Sequence, residues 1–144
     1  MDFILHPRLE ADTSLIGNLP LCQVRLIKEA IGPWIILVPK RPNITELHHL
    51  SEKDQQQLIK ESGHIAEVLE HDFHANKINL GALGNLVPQL HWHVIARYKN
   101  DVAWPGPIWG NTSGIKRDPN NQTALIDELT TMLDHIDGFS PRNS

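Results

Sequence analysis

A chain of 144 residues is long enough for one compact domain with its own apolar core and too short to suggest a second. Its formal charge of −4 at pH 7 excludes a general nucleic-acid binder, and its single cysteine excludes an internal disulfide or a cysteine-built zinc cluster. Cys22 reads as a core residue in a reducing compartment. Met1 to Arg8 lacks the cationic start and long apolar run of an export signal, and the longest wholly apolar run, Trp34 to Val38, is far too short to cross a bilayer. The expectation is a cytoplasmic protein that binds neither membrane nor nucleic acid.

Short apolar clusters broken by turn formers open the chain: Phe3-Ile4-Leu5, Leu15 to Pro20 and Cys22 to Ile27 read as short strands. Cys22, Val24 and Leu26 alternate with Gln23 and Arg25, which gives that strand one buried face. Gly32-Pro33 turns the chain. Trp34-Ile35-Ile36-Leu37-Val38 follows, β-branched and aromatic throughout, the pattern of a central strand ended by Pro39. Lys40-Arg41-Pro42-Asn43 reads as a basic, solvated link. Ser51 then caps a helix whose first turn carries Glu52 and Asp54, where free N–H groups favour them. The three- and four-residue spacing of Leu58, Ile59, Ile65, Ala66, Leu69 and Phe73 extends it to about Asp72. His48, His49, His64, His71 and His74 read as surface residues.

Ile78 to Leu83 predicts another strand, Gly84-Asn85 a tight turn, and Val87 to Arg97 the antiparallel partner. In Gln89-Leu90-His91-Trp92-His93-Val94, side chains two apart share a face. Gln89, His91 and His93 therefore line one side while Leu90, Trp92 and Val94 pack the other. Ala103 to Gly110 is proline-rich, with Trp104 and Trp109 either covering a core edge or forming a pocket rim or partner contact. Asp118-Pro119 starts a last helix with Leu125, Ile126, Leu129, Leu133 and Ile136 on one stripe, and the tail from Gly138 is expected to fray. These elements sum to an α+β fold: a mainly antiparallel sheet of about five strands, one long helix and one C-terminal helix. A single domain spans 1–144, with its core at about 22–110 and the last helix at about 119–136.

Two histidines on the polar face of an apolar strand, approached through Gly81, Gly84 and Asn85, suit phosphoryl chemistry. A neutral imidazole attacks phosphorus directly and forms a phosphoramidate that water later opens, and His91 has the position for it. Backbone N–H groups and amides around Gly81, Gly84, Asn85 and Gln89, with a protonated His93, would stabilise charge on the non-bridging oxygens. No metal or cofactor is required. The same pair offers two ligands to zinc or iron, but no acidic residue follows closely enough to supply the third.

Gln89-Leu90-His91-Trp92-His93-Val94-Ile95, with Leu37-Val38-Pro39-Lys40 and a helix before it and Trp104-Pro105 after it, resembles the histidine triad (HIT) superfamily of nucleotide hydrolases and transferases. The resemblance covers roughly Cys22 to Gly110. The family motif is His-φ-His-φ-His-φ-φ, with φ apolar. It implies that His91 is the nucleophile, that His93 helps hold the phosphate, and that Asn79, Gly81 and Asn85 position the nucleophile and contact phosphate. It further implies a homodimer acting on a nucleoside phosphoanhydride or a related phosphate ester or amide. Three positions depart from the family. Gln89 replaces the first histidine, keeping hydrogen-bonding capacity but not proton transfer. Trp34 stands where many members carry another active-site histidine, and Leu26 stands at or beside the position of a ribose-binding acid or amide, with Arg25 and Glu29 nearby. The alternatives are a catalytically decayed nucleotide or phosphate binder and a metal enzyme using His91 and His93.

Overall fold

The computed structural model describes residues 2–143. In chain order the elements are α1 (Pro7–Asp12), β1 (Thr13–Asn18), β2 (Cys22–Ile27), β3 (Trp34–Pro39), α2 (Glu52–His71), β4 (Lys77–Gly81), β5 (Trp92–Arg97), α3 (Pro119–Leu133) and β6 (Ser140–Pro141). All six strands form one sheet in the order β4-β5-β3-β2-β1-β6, every pairing antiparallel. The unbroken apolar run of β3 is buried at every position, as expected of a strand covered on both faces.

One face belongs to the helices. Ile35 and Leu37 of β3 and Val94 and Ala96 of β5 join Leu58, Ile65 and Leu69 of α2 and Leu129 of α3 in the main core. Each of the valine, leucine and isoleucine side chains contributes about 1.5–3 kcal/mol by leaving water. Ser51 starts α2 by accepting the Asp54 N–H at 3.1 Å. Glu61, buried on the same helix, accepts the backbone N–H groups of Leu21 and Cys22 at 2.8 and 3.0 Å and the Gln57 amide at 2.7 Å, so its charge is fully satisfied and the helix is tied to the start of β2. No helix among the described residues is long and apolar enough to cross a membrane.

The opposite face carries the short α1 and irregular chain instead of long helices. Phe3 and Leu5 pack with Leu9, Ile36 and Val38, while Ile108 and Trp109 pack with Trp34 and Ile95. α1, the segment before it and the loop around residues 108–109 therefore roof this side.

Four expectations change. Phe3-Ile4-Leu5 is extended but unpaired, and a short helix follows, with Pro7 in its first turn and the His6 Nδ1 accepting the Arg8 N–H at 3.0 Å. The expected frayed tail instead adds a strand, since β6 pairs with β1. Gly17 permits this approach, since a Cβ there would collide with the Ser140 carbonyl and the Phe139 ring. β4 and β5 pair as a hairpin, but residues 82–91 form a long loop instead of a tight turn, and β5 begins only at Trp92. Pro88 has no N–H to give the ladder, and the Leu90 N–H is taken by the Ile44 carbonyl at 2.9 Å. α3 ends at Leu133, with Ile136 buried in the turn beyond it.

Candidate active site

A cleft of about 700 Å³ opens on the face away from α2 and α3. Ile27, Trp34, Ile36, His91 and His93 line it from the sheet side, Arg8, Leu9 and Asp12 from α1, and Gly84, Asn85 and Val87 from the loop after β4. Trp109, Lys28, Glu29 and Lys116 also line it.

The late start of β5 separates the two histidines. His93 is inside the ladder, opposite Ile36 and Gly81, and buried. His91 is just outside it and half-buried. Their rings meet edge to face, centroids 4.9 Å apart. The His91 Nδ1 is 2.8 Å from the Gln89 carbonyl oxygen. A carbonyl only accepts, so Nδ1 carries the proton and Nε2 keeps its lone pair. At His93 the order reverses: the Trp34 Nε1–H donates to Nδ1 at 2.9 Å, so the neutral ring carries its proton on Nε2. One ring thus has a nucleophilic Nε2 and the other a donor Nε2–H.

Burial pushes both imidazoles below their ordinary value. His91 is lowered by desolvation, and His93 is pushed down to about 3 by desolvation and then by the neighbouring His91. The expected protonated His93 is therefore corrected to a neutral N–H donor. Trp109 stacks edge-on against it at 5.3 Å.

His91, His93, Trp34, Asn85 and Trp109 come together at the cleft, whereas Gln89, Asn79, Gly81 and Trp104 do not line it. Gln89 precedes the strand, so the two-residue alternation does not carry its side chain to the histidine face. Its Oε1 accepts the His6 N–H and its Nε2 donates to the Ile4 carbonyl, each at 2.8 Å. Asn79 Oδ1 accepts from the Arg97 guanidinium at 2.8 Å. Arg97, almost wholly buried, pairs through two nitrogens with Asp101 at 2.8 and 3.0 Å and donates to the Gly106 carbonyl at 2.9 Å. This hydrogen-bonded pairing holds the Asp101 carboxyl down at about 2. Asn79 thus supports the loop that carries Trp104 and Trp109, and the Arg97 guanidinium lies 5.7 Å from the Trp104 ring centroid. Gly81 pairs with His93 in the ladder.

Leu26 is fully buried in the main core, and the Arg25 guanidinium is engaged by Thr13 Oγ1 at 2.7 Å and Gln23 Oε1 at 3.0 Å. Glu29 and Asp12 are the acids that line the cleft, and Glu29 is the one next to β2. Its Oε2 and the Trp109 Nε1 are the two buried side-chain polar atoms without a hydrogen-bond partner among the described residues. The alternation in β2 held the signal: with Cys22, Val24 and Leu26 inward, Ile27 and Glu29 fall on the other face. Arg8 and Asp12, paired at 2.9 Å, had no such signal. Among the described residues no group of three or more histidine, cysteine or acidic side chains is placed to hold a metal ion.

Fold and site together define an α+β protein whose central antiparallel sheet presents paired imidazoles to a cleft. The HIT domain family model matches residues 8–100. A histidine triad protein from Bradyrhizobium japonicum is 42% identical, with 92% of this chain and 98% of that one covered and a TM-score of 0.87. One from Marinobacter aquaeolei VT8 is 40% identical over 94% and 99% of the two chains, TM-score 0.90. A third, from Sinorhizobium meliloti 1021, is 43% identical over 91% and 97%, TM-score 0.87. None of the curated proteins matches the chain. The chain belongs to the HIT family.

Proposed function

We propose that the protein is a hydrolase or nucleotidyl transferase that cleaves a bond to phosphorus in a nucleoside phosphoanhydride or a related ester or amide, through a covalent intermediate on His91. The opposite tautomers of His91 and His93 carry this reading. The His91 Nε2 lone pair attacks phosphorus, and the leaving group departs with the bonding electrons. As the ring gains positive character, its Nδ1–H bond to the Gln89 carbonyl strengthens. Water then attacks the phosphoramidate, and the P–N electrons return to Nε2. The His93 N–H and the Asn85 amide act as neutral donors to the non-bridging oxygens, a fixed oxyanion site.

The nucleoside half rests on Glu29 and Trp109. Glu29 Oε2 is an unpaired acceptor and Trp109 Nε1 an unpaired donor, both on residues that line the cleft, and a ribose brings hydroxyls able to donate to the one and accept from the other. Ile27, Ile36 and Val87 give an apolar bed for the base. This reading also carries a cytoplasmic location and a homodimer. β4 lies at a sheet edge with Leu80 half exposed, and Leu86 beyond it is 88% exposed, apolar surface of the kind a second copy covers. Sedimentation equilibrium checks the mass.

Rapid acid-free quenching during turnover tests the chemistry. The expected result is one equivalent of acid-labile nucleotide on the peptide containing His91, absent in His91→Ala. A burst of product with unmodified His91 would overturn it, and nucleotide binding without turnover would identify a binding protein instead.

A further inference from the structure

Gln89 occupies the first position of the triad motif, yet both ends of its carboxamide are committed to the N-terminal segment, to the His6 N–H and the Ile4 C=O. In extended chain, residues two apart present their N–H and C=O groups to the same side. A carboxamide, with acceptor and donor side by side, fits such a pair as one rung of a ladder. An imidazole does not, because its two nitrogens point apart.

The segment held in this way builds part of the cleft. Phe3 and Leu5 cover Ile36 and Val38, and α1 follows at once, bringing Arg8, Leu9 and Asp12 to the lining. The Gln89 backbone has its own anchors: the neighbouring Leu90 is buried in the main core and its N–H is bonded to Ile44. The carbonyl that orients His91 is therefore fixed independently of the Gln89 side chain.

We infer that Gln89 is a positioning residue, a clasp that fastens residues 3–6 and with them the α1 wall of the cleft, so that the altered triad position acts on substrate binding through the N-terminal segment and not by proton transfer. The kinetic part rests on the reading under Proposed function, while the structural part stands without it.

Gln89→Leu removes both bonds. Amide hydrogen exchange at His6 should accelerate at least about tenfold, and KM should rise about tenfold with kcat held within about threefold, the scale of two modest hydrogen bonds. Gln89→Glu, which keeps the acceptor for the His6 N–H, should fall between. His6→Pro deletes that N–H at a residue whose φ of −59° suits proline, with His6→Ala as the control for the lost helix cap. Relative to His6→Ala, it should raise KM by itself and roughly halve, on a logarithmic scale, the further effect of Gln89→Leu. Unchanged His6 exchange in Gln89→Leu overturns the clasp whatever the activity. So does a fall in kcat at constant KM, or a Gln89→Leu effect equally large with and without the His6 N–H. If the wild type turns over no phosphoanhydride or phosphoramidate, the function reading fails, and exchange at His6 together with calorimetric binding of adenosine monophosphate still decides the clasp.

Discussion

The two faces of β3 and β5 arise from one alternation and have opposite character. Toward α2 the side chains are aliphatic, their neighbours are regular helices, and the polar groups are few and satisfied. Toward the cleft the same strands carry Trp34, His93 and Arg97, and the short α1 and loops supply the cover. The difference teaches where this molecule keeps stability apart from chemistry. A face packed by long helices tolerates no unpaired polar atom, whereas the face roofed by α1 and irregular chain keeps Glu29 Oε2 and Trp109 Nε1 buried without a partner.

The strongest test exchanges one residue on each face. His91→Ala should lower kcat by about 10⁴-fold or more, as loss of a nucleophile does, and leave the melting midpoint almost unchanged. Leu69→Ala on the helix side should do the reverse, costing about 2–5 kcal/mol in denaturant unfolding with KM and kcat intact. Asp101→Asn probes where the division breaks down: it lies on the cleft face, yet it leaves the buried Arg97 guanidinium without its charge partner. The expected destabilisation is about 3–5 kcal/mol, with the Trp104 to Trp109 loop loosened in hydrogen exchange.

Trp34→Phe is a finer test, since it keeps the aromatic surface and removes only the donor to His93. Without that bond the neutral ring is free to hold its proton on either nitrogen. kcat should drop by about 10- to 100-fold, with Nδ1 protonation of His93 appearing in nitrogen NMR spectra. Trp34→His, which can also donate, should recover part of the rate. The smallest effect is in the pH profile. His91 must be neutral to attack and burial lowers its pKa, so kcat/KM should stay level as pH falls through about 6.5 and decline only below it. Stability has the same sign. The unfolded chain takes up protons below about 6.5 that folded His93 refuses until about 3, so unfolding free energy should fall as the solution is acidified across that window.

Much of this was legible in the residues. The apolar run of β3, the capped period of α2 and the alternation of His91 with His93 each state a local rule that tertiary packing then obeys. α1 was not legible, because six residues are too few to show a helical period, and β6 was not, because its pairing depends on the space left by Gly17 some 120 residues earlier. Gln89 misled for a definite reason. Its place in the alternation is sound only if the strand reaches it, and Pro88 together with the Leu90–Ile44 bond ends the ladder first. Glu29 was within reach of the same logic, two residues past the outward-facing Ile27 that ends β2.

The indole–imidazole bond between Trp34 and His93 also makes the site optically readable. A protonated imidazole in contact with an indole quenches its emission, and a neutral one does so far less. Because His93 stays neutral down to about 3, Trp34 should remain bright across the working range and report instead on whatever enters the cleft beside it. With Trp92 and Trp104 replaced by phenylalanine, the remaining emission comes from the two cleft indoles, Trp34 and Trp109, and would report occupancy with no label attached.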